Sequence, residues 1–168
     1  ATILTLLFFI MMGVVGRAWT NLRATMRSQK EAEHAASHDF LTGLPNRRHF
    51  AEAIEKALAT PPRPGHTHAV MLLDLDGFKH INDLFGHPAG DEILIGVSER
   101  LQSDFGAECF IARLGGDEFA VLATDVPGAD GAARIARRII TAFEKPLTAA
   151  CGEHIVGTGV GFALTPQK

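Results

Sequence analysis

Five residues, Gly115-Gly116-Asp117-Glu118-Phe119, set a tight glycine turn and two adjacent carboxylates between the apolar stretches Ala112-Arg113-Leu114 and Ala120-Val121-Leu122. A hairpin built this way aims acids at a phosphate-bound metal. A second acidic segment lies upstream, in Val70-Met71-Leu72-Leu73-Asp74-Leu75-Asp76-Gly77-Phe78-Lys79. In a strand, Asp74 and Asp76 share one face and Leu75 points the other way. If that strand lies beside the hairpin, Asp74 and Asp117 converge on one Mg²⁺ (or Mn²⁺), a hard cation that takes a few carboxylates plus phosphate oxygens. The loop Asp76-Gly77-Phe78-Lys79 leaves the strand and leads into a helix, where free backbone N–H groups can hold phosphate oxygens. Gly77 removes a side chain that would block the approach. Lys79 adds a point charge for phosphate or is an ordinary surface lysine.

The elements that must position these groups are readable as alternating helices and strands. Asn46 is a candidate N-cap for a helix from Arg47 to about Ala59, with Phe50, Ile54 and Leu58 along one face. Pro61-Pro62-Arg63-Pro64-Gly65 ends it. A strand from Ala69 to Leu75 follows, then a short helix around Lys79 to Phe85 and a longer one from about Gly90 to Phe105. Cys109 to Leu114 and Phe119 to Ala123 form the hairpin, Ala129 to Glu144 a further helix, and Ile155 to Leu164 a strand weakened by glycines. Hairpins mixed with crossovers predict an α+β sandwich with helices flanking a central sheet.

The chain has 168 residues, 46% of them hydrophobic, and a net charge of −3. That gives room for one core plus an appendage and excludes nucleic-acid binding by bulk charge. Cys109 and Cys151 form no spaced framework and read as small buried hydrophobes with reduced thiols. His66 and His68 read as loop residues, without the partners of a zinc site. Residues Ala1 to Gly16 carry no charge. As a helix they would rise only ~24 Å, short of the ~30 Å hydrocarbon core, so they read as the tail end of a transmembrane helix; a signal-peptide core is the alternative. Arg17, Arg23, Arg27 and Lys30 follow, and Trp19 suits an interface. The positive-inside rule then sets the remainder in the cytoplasm, anchored to the inner membrane. Trp19 to Ser37 predicts one helix with a brief heptad trace at Trp19, Leu22, Met26 and Gln29, either a signalling helix that pairs two subunits or a solvated linker.

Three ordered blocks carry a resemblance. The first is His38-Asp39-Phe40-Leu41-Thr42-Gly43-Leu44-Pro45-Asn46-Arg47-Arg48. The second runs from Asp74 to Asp83, then Phe85-Gly86-His87 and Gly90-Asp91. The third is Gly115-Gly116-Asp117-Glu118-Phe119. Together they resemble the GGDEF-domain family, the diguanylate cyclases. The resemblance implies a ferredoxin-like palm over residues 38–168, preceded by the membrane segment at 1–16 and the linker at 17–37. It implies a homodimer in which two GTP molecules face one another, each 3′-hydroxyl attacking the other's α-phosphate to give cyclic di-GMP and pyrophosphate. Asp74 and Asp117 would ligate metal with the Leu75 carbonyl, and Glu118 would bind metal or activate the 3′-hydroxyl. Asn82 and Asp91 match guanine-reading positions, although both could be helix caps. Phe78 and Gly77 belong to the phosphate loop, and Asp83, Phe85, Gly86 and His87 to packing and turns. Asp39 and Arg47 could pair and tie the lead-in turn to the first helix.

Two departures from the family pattern stand out. Where many members carry an inhibitory Arg-x-x-Asp site, this chain has Gly106 and Cys109, so no inhibitory site is expected. The family pattern usually continues past Leu164 into a helix and a last strand that supply a Lys and an Arg for the triphosphate. The chain therefore reads as a fragment, with a further domain such as a cyclic di-GMP phosphodiesterase able to follow. The alternative to an enzyme is a non-catalytic GTP-binding module that regulates an adjoining domain.

Overall fold

The structure, a computed structural model, describes residues 11–12, 16–17, 19–23, 25–26 and 36–165. The chain divides into two compact units, Ala1–Ala36 and Ser37–Lys168. In the first, the described residues are helical, and Met11, Met12, Trp19, Leu22 and Met26 are exposed. The Arg23 guanidinium lies over the Trp19 ring. The membrane-helix reading of Ala1 to Gly16 and the heptad reading beyond it fall largely outside the described residues. Among those described, no helix is long and apolar enough to cross a membrane.

The second unit carries the site. Helix α1 spans Arg47–Leu58 and starts where expected, because the Asn46 side chain accepts the His49 backbone N–H at 3.1 Å. Its inward face is Phe50, Ala53, Ile54 and Ala57; Leu58, expected on that face, is exposed. There follow β1 (Thr67–Leu75), α2 (Phe78–Phe85), α3 (His87–Phe105), β2 (Phe110–Gly115), β3 (Glu118–Val126), α4 (Gly128–Phe143), β4 (Leu147–Ala149), β5 (Gly152–His154) and β6 (Thr158–Leu164). The main sheet is antiparallel with order β2-β3-β1-β6. The α2–α3 connection carries the chain from β1 past β3 to β2, and α4 carries it from β3 past β1 to β6. This is the split β-α-β arrangement of ferredoxin-like folds.

Alternation along the strands sorts the two faces. Met71, Leu73 and Leu75 of β1 with Phe119, Val121 and Ala123 of β3 meet Ile93, Val97 and Leu101 of α3 and Ile135 and Ile139 of α4 in the main core. On the opposite face Ala112, Ala120 and Leu122 pack under Phe50 and Ala57 of α1. Helix α1 covers β2 and β3, and Leu72, on that same face of β1, is exposed. Asp74 follows Leu72 on this side.

Further features differ from the sequence expectation, among them β6, which starts at Thr158 rather than Ile155. Helix α3 begins at His87 rather than near Gly90, because Pro88 sits in its first turn, where a missing N–H costs nothing. The β4–β5 hairpin was not anticipated, since three-residue strands are too short to show a period; Leu147 roots it in the core and Glu92 accepts the Ala150 N–H. His68 is a buried strand residue, not a loop residue. It accepts the Asp125 N–H at Nδ1 (3.0 Å) while Nε2 donates to the Thr60 carbonyl (2.9 Å).

Candidate active site

The acidic end of the sheet is assembled by register. Asp74, next to last in β1, lies directly opposite Glu118, the first residue of β3, where neighbouring Cα atoms are about 4.5–5.5 Å apart. On its other side Asp74 faces Gly159 of β6, which offers no side chain to crowd it. Leu75 turns into the core and leaves only its main chain to the site. Asp117 occupies the turn between β2 and β3 and is half-buried.

The turn is shaped by its glycines and by a bulge. Gly115 and Gly116 hold φ of 138° and 55°, a region that L side chains resist. Arg113 pairs with Phe119, but the next pair is Gly115 with Glu118, so Leu114 is an extra residue in β2. Bulges re-aim side chains and cluster beside active sites.

The loop after β1 turns at Gly77. Gly77 caps α2 in the left-handed region at φ 73°, which sends the chain from the β1 end into the helix, and a side chain there would meet nothing within 4 Å. The Phe78 ring packs into the core, so Phe78 can offer only its backbone. Lys79 is exposed. Asp76 donates its N–H to the Gly157 carbonyl at 2.9 Å, and its carboxylate lies against Gly157, where a Cβ would fall 2.9 Å from Oδ2.

Asn82 and Asp91 are neither helix caps nor far apart in the fold. Asn82 is in α2, and Asp91 is in the second turn of α3, whose cap is Gly86. Gly90 is the contact between the helices: a Cβ there would fall 2.0 Å from the Asn82 Oδ1. Among the described residues neither side chain makes a hydrogen bond or ion pair, and the same is true of the Asp74 and Asp117 carboxylates.

Glu118 is different. Its carboxylate accepts from Arg47 Nη2 at 3.2 Å, and Arg47 Nε also donates to the Leu114 carbonyl at 3.3 Å. The expected Asp39–Arg47 pair does not form, because Asp39 is taken by Arg113 at 2.8 Å. Burial pushes the Asp39 carboxyl upward, but hydrogen bonds from Thr42 and Arg113 outweigh it and hold the pKa below the usual value. Arg113 was not singled out from the sequence. The signal was there, as a cation at a core-face position of an otherwise apolar strand.

Among the described residues no three Asp, Glu, His or Cys side chains form a ready metal cage. Of the three expected carboxylate ligands, Glu118 is engaged by Arg47. Mg²⁺ does not need such a cage; one or two carboxylates suffice when phosphates and water complete the shell. Two uncommitted aspartates beside a main-chain carbonyl are an all-oxygen donor set of that kind.

A protein-family model described as "Diguanylate cyclase, GGDEF domain" matches residues 36–168. The chain belongs to the GGDEF-domain family. Over 151 residues this GGDEF chain is 39% identical to the bifunctional diguanylate cyclase/cyclic di-GMP phosphodiesterase MucR of Pseudomonas aeruginosa, covering 89% of the chain and 22% of MucR. It is 38% identical over 135 residues to diguanylate cyclase TpbB of the same species, covering 80% of the chain and 31% of TpbB. It thus spans less than a third of either relative. The solved GGDEF domain of TpbB superimposes with a TM-score of 0.71 at 38% identity over 77% of this chain and 76% of that one. The GGDEF domain of DgcB from Caulobacter crescentus, solved in complex with c-di-GMP, gives 0.69 at 29% identity over 78% of each chain.

Proposed function

We propose that this GGDEF domain is a diguanylate cyclase, joining two GTP molecules into cyclic di-GMP with release of two pyrophosphates. The observation that carries the reading is the registered pair Asp74–Glu118 with Asp117 in the adjoining turn, two of the three carboxylates being uncommitted among the described residues. A divalent metal, Mg²⁺ or Mn²⁺, would be held by Asp74, Asp117, the Leu75 carbonyl and Glu118, and when bound it neutralises phosphate charge and makes the 3′-hydroxyl a better nucleophile. The α2 N-terminus after Gly77, with Lys79, receives the phosphates. Asn82 and Asp91 orient the base. A carboxylate at Asp91 accepts from the guanine N1–H and amino group, a donor pair that adenine lacks, which favours GTP over ATP. Glu118, once released from Arg47, is placed to take the 3′-hydroxyl proton or to join the metal shell.

Each domain presents one substrate, so turnover requires a homodimer, which need only be transient. The uncharged Ala1–Gly16 stretch followed by Arg17 and Arg23 supports attachment to the inner membrane with the domain in the cytoplasm.

A second reading, a GTP-binding module that regulates an adjoining domain without turnover, is favoured by the Arg47 contact that occupies Glu118. Glu118→Ala separates the two. In the enzyme it lowers turnover by on the order of 10²-fold or more while GTP still binds. In the module it leaves the output unchanged.

A further inference from the structure

The signature turn has little to hold it in place by itself. Gly115 and Gly116 are consecutive, and among the described residues a Cβ at either would meet nothing within 4 Å, so no side chain packs against the turn on that side. Glycine in an unpacked turn has more conformational freedom than any other residue. Yet Asp117 and Glu118 have to be aimed for a metal and a reacting hydroxyl.

The contact on the turn itself comes from a buried cation. Arg113 Nε and Nη2 both donate to the Gly116 carbonyl, at 3.1 and 2.7 Å, and Nη1 donates to Asp39 Oδ1 at 2.8 Å. The two side chains are 9% and 16% exposed. Charge-assisted bonds shielded from water are the stronger kind, and the planar fork fixes direction as well as distance. Asp39 Oδ1 is itself held by the Thr42 N–H (2.9 Å) and hydroxyl (2.7 Å). The backbone of the same lead-in loop is tied to the hairpin directly, since the Arg113 N–H donates to the Pro45 carbonyl at 2.9 Å.

Strand parity shows what this accomplishes. Arg113 pairs with Phe119 on the core face, whereas Glu118 and Asp74 lie on the opposite face. The lead-in loop and the start of α1 therefore grip the hairpin from both sides: Asp39 of the loop through Arg113 on one face, and Arg47, the first residue of α1, on Glu118 on the other.

We propose that Arg113 is a positioning residue for the signature turn, clamping the Gly116 carbonyl to the Asp39 carboxylate so that the lead-in loop, and not the hairpin alone, sets the aim of Asp117 and Glu118. The inference rests on the hairpin being the catalytic turn proposed above.

The test is a double-mutant cycle in the full-length protein. Arg113→Lys keeps the charge but cannot reach both oxygens with one ammonium. Asp39→Asn keeps the shape and loses the charge. Misaiming a catalytic group costs up to about 10²-fold, so each single variant should lower kcat by on the order of 10- to 100-fold while the GTP KM changes by less than about 2-fold. Because they act through one another, the double variant should lose about as much as the worse single one. Multiplying losses, an unchanged kcat, or a change confined to KM would overturn the proposal. The Gly116 carbonyl ¹³C shift gives a readout independent of turnover, with core amide shifts as the control for folding. It should move in both variants, and a resonance that stays in place in Arg113→Lys would refute the clamp. If the wild-type protein binds GTP but never turns it over, the proposed activity fails, and the carbonyl shift alone decides whether the clamp exists.

Discussion

Arg47 and Arg113 each meet a carboxylate, but in different surroundings. The Arg47–Glu118 pair is 68% and 57% exposed, where water screens the charges and an ion pair contributes about 0–1 kcal/mol. The Arg113–Asp39 pair is nearly buried, and removing one partner of such a pair leaves an uncompensated charge at a cost of about 3–5 kcal/mol. Urea unfolding should therefore show Arg47→Ala within about 1 kcal/mol of wild type and Arg113→Met at least about 3 kcal/mol less stable. Acid gives a second check. Because the folded Asp39 pKa lies below its unfolded value, its contribution is present above roughly pH 4 and is lost as pH falls through the folded pKa. The stability difference between wild type and Asp39→Asn should be largest near neutral pH and shrink under acid; a difference that grew on acidification would reverse the assigned sign.

Among the elements, glycines act for two separate reasons. Gly116 is needed for its φ, whereas Gly90 is needed for space in the α2–α3 contact. Gly90→Ala should fold, since alanine suits a helix, but its methyl displaces Asn82. Losing one hydrogen bond to the base would weaken GTP binding by on the order of tenfold, measurable by calorimetry with the melting temperature little changed. The elements also divide by how well the sequence announced them. The Asn46 cap, the β1 run ending in acids and the glycine hairpin were legible because each is a local signal with a local cause. The start of α3 was misread because Gly86, Pro88 and Gly90 look like breakers in isolation. The hairpin β4–β5 has no period to detect, and its anchor at Glu92 comes from a distant helix. Arg113 and Arg47 were the consequential misses. Which carboxylate each arginine meets depends on how the lead-in loop wraps β2, and that is a property of the tertiary fold.

Across the whole molecule, the two cysteines differ in a way their sequence positions did not show. Cys151 is exposed, with its sulfur 3.0 Å from His154 Nε2, contrary to the expectation of two buried thiols. Cys109 is buried, and burial, with Glu108 beside it, pushes its thiol up to about 11. A neutral buried thiol at Cys109, with Gly106 in place of an arginine, offers neither the anion nor the cation of an Arg-x-x-Asp inhibitory site. Added cyclic di-GMP should accordingly inhibit turnover weakly, by competition at the active site; potent non-competitive inhibition in steady-state kinetics would contradict this. The central claim is tested most directly by mass spectrometry of the products after incubating the full-length protein with GTP and Mg²⁺. Cyclic di-GMP and pyrophosphate that form with wild type and vanish with Glu118→Ala are the predicted result. GTP bound by wild type and recovered intact would contradict it.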